Sequence, residues 1–392
     1  MNETFVDTHR RTAANGTVPA RPDRVLATTI WYPARSRGPF PLIVFAHGFG
    51  SSGVEYRGLL RHWASAGFVV AAPRFPLTNR ATAGGPDAGD YLNQPADLSY
   101  VVTAVLRLST QRTGPLAGLV DAGAIGAAGH SLGGITTLGL AASTCCHDAR
   151  IKAAIVMSGD TLVFPKGRFD YAHAPPLLFV HGDADPLVPY ESSIDAFNQA
   201  QGPKGLVTVI GGDHGSTIDV SGKAFASIAN ATTDFFRAYL EGDTAAVGGI
   251  EAAAARGVTR VVFDARAGSQ TTLPTTPTTP ARQHHASMSS SAGLTAGESV
   301  TVHWSDFTPG KTVNIVECSK RMSTDASACD LKHGALLQPD PTGTGSATIK
   351  IVAGAVGTGV CDSTHPNCVV VVNDGGSLDP GASVRIPITF AG

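Results

Sequence analysis

Gly-Ala-Ile-Gly-Ala-Ala-Gly-His-Ser-Leu-Gly-Gly-Ile-Thr-Thr-Leu-Gly-Leu, residues 123–140, passes from an apolar run through one serine into a helix-type pattern. The bare spacing Gly129-x-Ser131-x-Gly133 carries little, because 45 Gly among 392 residues make about 0.4 such matches expected by chance. Its setting carries more. Ala124–Ala128 reads as a strand and a helix opens at Gly133-Gly134, so Ser131 falls on the tight turn between them. That is the context of a nucleophile elbow, where small neighbours let the backbone fold sharply and the hydroxyl project. The residues after Ser131 also lie at a helix N-terminus, whose free N–H groups can face developing negative charge.

Outward from this turn, short β-branched runs alternate with helical patterns. Strands are expected at Val25–Tyr32, Leu42–Ala46, Phe68–Ala72, Ala153–Ser158, Leu177–Val180 and Leu206–Ile210, and helices at Tyr56–Ala66, Pro95–Leu108, Gly134–Ser143 and Tyr190–Gln199. Continuous apolar strands suit a sheet covered on both faces, so the expected fold class is α/β, a doubly wound and mainly parallel sheet. A Thr/Pro-rich segment, Gln270–Pro280, then interrupts the chain as a semi-rigid linker. Beyond it Val300, Val302 and Trp304 alternate with polar residues, Thr308–Lys311 reads as a turn, Val313 and Ile315 resume the pattern, and Val384, Ile386, Ile388 and Phe390 close it. This pattern predicts a small all-β sandwich. The expected division is a catalytic domain over 1–265, a linker over 266–285 and a β-sandwich over 286–392.

A serine hydroxyl needs a base, and the base needs an orienting carboxylate. Two later loops, each at the carboxyl end of an expected strand, supply candidates: His181-Gly182-Asp183-Ala184-Asp185 and Gly211-Gly212-Asp213-His214. His214 is the expected base, and Asp183 and Asp185 compete for the acid. His47, His130 and His181 also sit at strand ends and are read as hydrogen-bonding loop residues. The turn Ala46-His47-Gly48-Phe49-Gly50 follows an early strand, so the N–H groups of Phe49 and Leu132 are the expected oxyanion donors.

A net charge of −2, from 29 basic and 31 acidic residues, gives no electrostatic reason to expect nucleic acid or an anionic membrane as partner. No apolar run approaches the length of a membrane span, and Met1-Asn2-Glu3-Thr4 does not begin a signal peptide, so an export signal is expected to lie outside this chain. Four of the six cysteines fall in the last quarter, and Cys318–Cys329 with Cys361–Cys368 is the natural short-range pairing among three connectivities. Their spacings do not suit zinc, so no metal or cofactor is expected, and bridged cysteines imply a secreted, extracellular protein. Cys145 and Cys146 are expected to be a buried pair of small hydrophobes, with a vicinal bridge or a contact to another chain as alternatives.

Residues 24–236 resemble the α/β-hydrolase family, in the branch of dienelactone hydrolase-like esterases, platelet-activating factor acetylhydrolase-like proteins, chlorophyllases and bacterial polyester hydrolases of the cutinase type. Trp31-Tyr32-Pro33, His47-Gly48-Phe49, Gly129–Gly134, Asp185-x-x-x-Pro189 and Gly212-Asp213-His214 carry the resemblance. It implies carboxylic ester hydrolysis through an acyl-enzyme, with the order Ser131, Asp185, His214, and it selects Asp185 over Asp183. The chain departs from dienelactone hydrolase, whose nucleophile is cysteine. It departs also from polyester-cleaving members, which carry a tryptophan just after the strand equivalent to Ala153–Ser158; Gly159-Asp160-Thr161 stands here. The last hundred residues resemble the neocarzinostatin family, an immunoglobulin-like sandwich, through Thr308–Val313, the two cysteine pairs and Ile386-Pro387-Ile388-Thr389-Phe390. Two functions follow as expectations: a monomeric secreted serine esterase acting on a small or polymeric ester, or a binding protein whose β domain holds a hydrophobic ligand beside an inactive hydrolase fold.

Overall fold

The computed structural model describes residues 1–33, 38–162, 164, 167–266, 268, 271–274, 284–307, 313–320, 328–330, 333–337, 342–374 and 383–392. The expected turn Thr308–Lys311 and residues 275–280 of the Thr/Pro segment lie outside the described residues. Contacts divide the chain into two compact units, the first made of Met1–Thr161, Lys166–Asp185 and Tyr190–Pro274 and the second of Leu162–Pro165, Pro186–Pro189 and Thr275–Gly392.

In the first unit the elements run β1 (Asn2–Asp7), β2 (Arg24–Trp31), β3 (Phe40–Ala46), α1 (Arg57–Ser65), β4 (Val69–Arg74), α2 (Gln94–Ser109) and β5 (Val120–His130). They continue with α3 (Leu132–Ala142), β6 (Ile151–Met157), β7 (Leu177–Gly182), α4 (Tyr190–Gln199), β8 (Lys204–Val209), α5 (Phe225–Phe236), α6 (Ala246–Ala252) and β9 (Thr259–Asp264). The nine strands form one mixed sheet in the order β1-β2-β4-β3-β5-β6-β7-β8-β9. Its centre from β4 to β8 is parallel, whereas β1, β2 and β9 pair antiparallel at the flanks. The expected strands are all present. The flanking β1 and β9 escape a sequence reading: β1 reads Asn-Glu-Thr-Phe-Val-Asp with alternate positions exposed, and β9 has only the short apolar run Val261-Val262-Phe263 between polar residues.

Period-two alternation along the central strands splits the core in two. Leu42, Val44 and Ala46 join Leu98, Val102, Leu138 and Ile194 on one face. Ile43 and Phe45 join Leu59, Trp63, Ile228 and Phe235 on the other. Helices thus cover both faces, which leaves the loops at the carboxyl ends of the parallel strands as the accessible edge.

The second unit is all-β among its described residues. One sheet pairs β10 (His285–Met288), β11 (Ser299–Ser305) and β14 (Gly345–Lys350); another pairs β13 (Ala335–Leu337), β12 (Val313–Cys318), β17 (Val369–Asp374) and β18 (Ser383–Pro387); β15 (Gly354–Val356) and β16 (Gly359–Cys361) form a ribbon. Val300, Val302 and Trp304 from the first sheet pack with Ile315, Val370 and Val372 from the second in one core. Cys318 bridges Cys329, and Cys361 bridges Cys368. Cys145 and Cys146 correct the expectation of a buried pair. They form a vicinal disulfide in the loop after α3, with Cys145 exposed, because the helix ends at Ala142 and the chain leaves the core after the buried Ser143.

Candidate active site

Ser131 occupies the single residue between β5 and α3, with φ 57° and ψ −123°. A side chain in that region costs on the order of 1–3 kcal/mol and persists only where its surroundings enforce it. Here they do so by contact. A β-carbon on Gly129 would lie 2.2 Å from the Gly133 carbonyl oxygen, and one on Gly133 would lie 2.1 Å from that of Ala46. Only glycine lets the elbow close against itself and against the end of β3. The Ser131 N–H donates to the Met157 carbonyl at 2.9 Å, tying the turn to the end of β6.

His214 and Asp185 come from loops after β8 and β7, neighbours in the sheet. The His214 Nδ1–H donates to Asp185 Oδ2 at 2.7 Å, which leaves Nε2 as the basic nitrogen. The Asp185 side chain is fully buried and that of His214 is 17% exposed, so the pair is held inside while the imidazole edge reaches solvent. His181 Nε2–H donates to the same Asp185 oxygen at 3.2 Å, and its Nδ1 accepts from Ser193 Oγ–H at 2.7 Å. One carboxylate therefore orients under two imidazoles. Asp183 lies apart and exposed, and its Oδ1 accepts the Gly211 N–H at 2.6 Å, pinning the turn after β8.

The loop after β3 completes the group. A β-carbon on Gly48 would stand 3.2 Å from that of Ser131, so this loop lies directly beside the serine. Phe49 follows on the loop and is 47% exposed. Neither the Phe49 nor the Leu132 N–H is taken up by another protein group among the described residues.

Two residues that the sequence did not single out, Tyr56 and Ser158, join His130 in holding these loops together. The Gly48 N–H donates to Tyr56 Oη at 2.9 Å, Tyr56 O–H donates to His130 Nδ1 at 3.2 Å, and His130 Nε2–H donates to the His214 carbonyl at 2.9 Å. Ser158 Oγ reaches the same carbonyl at 3.4 Å. This chain requires a neutral His130, and burial, with the nearby His214 charge, lowers its pKa to about 3. Burial likewise lowers His47 to about 4, and its ring spans the Gly48 carbonyl and the Phe75 N–H. The loop-histidine reading of His47, His130 and His181 thus agrees with where their rings lie. Tyr56 and Ser158 had no local signal: a tyrosine opening a helix and a serine ending a strand look like ordinary structure until the fold brings both to His130 and His214.

The sequence pattern of the PET hydrolase-like family matches residues 11–248, and that of the Neocarzinostatin family matches residues 286–390. Chlorophyllase-1 of Arabidopsis thaliana is 29% identical over 148 residues, 37% of this chain and 39% of that protein, so the chain spans well under half the length of this relative. With a match that covers more than half of its residues, the strained serine turn and the neighbouring Asp and His loops lie within a chain that belongs to the PET hydrolase-like family and carries a C-terminal region of the Neocarzinostatin family.

Proposed function

We propose that this protein is a secreted serine esterase that cleaves carboxylic esters through an acyl-enzyme. The observation that carries the reading is the 2.7 Å bond from His214 Nδ1 to Asp185, with the His214 carbonyl bonded at 2.9 Å to His130, the residue before a serine in a strained turn. Ser131 Oγ attacks the ester carbonyl as His214 Nε2 takes its proton. The Phe49 and Leu132 amides hold the oxyanion, and the imidazolium, stabilised by Asp185, protonates the departing alkoxide. Water then repeats the sequence, releasing the acid and restoring Ser131. The substrate is neutral or apolar, a small or a polymeric ester, in keeping with the family and with the exposed Phe49 beside the serine. The chain works as a monomer without a cofactor. Its working modules are a catalytic domain over 1–265, a linker over 266–285 and an immunoglobulin-like sandwich over 286–392. The test is labelling of the full chain with a serine-directed fluorophosphonate, together with hydrolysis of a chromogenic short-chain ester. Wild type labels at Ser131 and turns over. Labelling at another residue, or turnover that persists in Ser131→Ala, overturns the reading.

A further inference from the structure

The carboxylate that orients His214 also holds a second imidazole, which the proposed reaction leaves unused. His181, near the end of β7, has no exposed side-chain surface, and its Nε2–H donates at 3.2 Å to the same Asp185 oxygen that accepts the His214 Nδ1–H at 2.7 Å. An ionised carboxylate can only accept, so the His181 proton sits on Nε2 and the Nδ1 lone pair faces away. Ser193 of α4, 1% exposed, donates its Oγ–H to that lone pair at 2.7 Å and fixes the tautomer. Tyr190, which opens α4, sets its ring edge-on to His181 at 5.9 Å between centroids, with its hydroxyl 2.6 Å from Thr208 Oγ1 on β8. Packing from three elements therefore decides the ring's place and tautomer, and aims its N–H at Asp185.

Each N–H on Asp185 Oδ2 draws on the same negative charge, so an oxygen serving two donors stabilises a protonated His214 less than one serving His214 alone. His214 must be neutral to take the Ser131 proton, so a less stabilised imidazolium keeps the base available at lower pH. Other titratable groups around the pair are engaged elsewhere. His130, whose ring centroid lies 4.9 Å from that of His214, is kept neutral by burial, which together with the His214 charge lowers its pKa to about 3. Tyr56 bonds to His130, the Asp183 carboxylate takes the Gly211 N–H, and the Asp213 carboxylate takes the N–H groups of Gly215 and Ser216. Arg260 of β9 reaches the Tyr190 hydroxyl at 3.4 Å.

We propose that His181, locked by Ser193, is a positioning residue that holds Asp185 against His214 and, by sharing its charge, extends turnover to lower pH. The proposal rests on the reading of Ser131, Asp185 and His214 as the catalytic groups. Its test is the pH dependence of kcat/KM on a chromogenic short-chain ester, for the full-length wild type, Ser131→Ala, His181→Phe, His181→Gln and Ser193→Ala. His181→Phe fills the space without the N–H, and its acidic limb should move up by about 0.5–1 pH unit, a fraction of the worth of a hydrogen bond to a charged group. His181→Gln places an amide N–H where Nε2–H was and should return the limb to its wild-type position. Ser193→Ala weakens the same donor through the chain of bonds and should shift the limb the same way by less, which decides the matter where His181→Phe does not fold. Loss of a merely structural residue would lower kcat/KM at every pH and leave the limb in place. Ser131-dependent turnover with an unmoved limb in His181→Phe, or in Ser193→Ala where His181→Phe does not fold, overturns this proposal alone, as does a limb in His181→Gln that stays with that of His181→Phe. Turnover that persists in Ser131→Ala overturns the esterase reading and this proposal with it.

Discussion

Ser131→Ala should lower turnover by roughly 10³-fold or more with little change in melting temperature, because removing Oγ leaves the backbone turn and its glycine contacts intact. Paired steady-state kinetics and calorimetry check both halves. Asp185→Asn should lower kcat by orders of magnitude, since it removes the charge that stabilises the imidazolium and leaves His181 and His214 donating to a weaker acceptor. Asp183→Asn should spare kcat, because its carboxylate holds only the Gly211 amide; a reversed ranking would move the acid to Asp183. At this scale the sequence was most legible where chemistry demands a residue type at a turn. Ser131 and His214 could be proposed from strand-end positions and order, whereas Asp185 was separated from Asp183 only by the family resemblance. Tyr56 and Ser158 could not, since their roles exist only after β3, β5, β6 and β8 lie side by side.

Between elements, one buried ion cluster fixes the sheet to its helices. Arg24 on β2 is fully buried and donates to both oxygens of Asp97 on α2 and both of Asp90 in the turn before it, at 2.6–3.0 Å. Removing one partner from such a cluster strands buried charge, at a cost of about 3–5 kcal/mol. Arg24→Ala should therefore unfold the catalytic unit well below the wild-type melting temperature, read by calorimetry, with the second unit's transition unmoved. Arginine at a strand start looks like a surface residue in the sequence, and only the packing of α2 over β2 reveals it as core. In β12 the outlying group is Glu317, 5% exposed, whose Oε2 accepts the Val352 N–H at 2.8 Å while Oε1 lacks a partner among the described residues. Burial, then the Asp330 charge, raises its pKa from 4.5 to about 7 against the lowering effect of the Val352 bond. A raised carboxyl pKa means that the folded state holds the proton more tightly than the unfolded chain. Stability of this unit should therefore be greatest below pH 4.5 as far as Glu317 is concerned, and fall as pH rises toward 7, by at most about 3 kcal/mol. Glu317→Gln keeps the acceptor for Val352 and should flatten that slope in melting temperatures taken across pH 5–8.

For the whole molecule, the Thr/Pro segment was visible as composition, and the alternation after it predicted an all-β unit. The mixed character of the nine-stranded sheet was not, because β1 is a half-exposed edge without an apolar run and β9 offers only the short run Val261-Val262-Phe263 between polar residues. Every group in the proposed chemistry lies before residue 265. If the proposed modules are real, residues 1–265 should fold alone and keep wild-type kcat/KM on a soluble chromogenic ester. Residues 286–392 should fold alone only when oxidised. The Cys318–Cys329 bridge closes a loop of 11 residues, worth roughly 3 kcal/mol by chain entropy, a large part of a small domain's stability. On a particulate polyester the two chains should diverge, since a second unit can act only by raising local concentration at the surface. Soluble-ester activity lost on truncation would instead show that the β unit completes the active site, and kinetics of both chains on both substrates separate the outcomes.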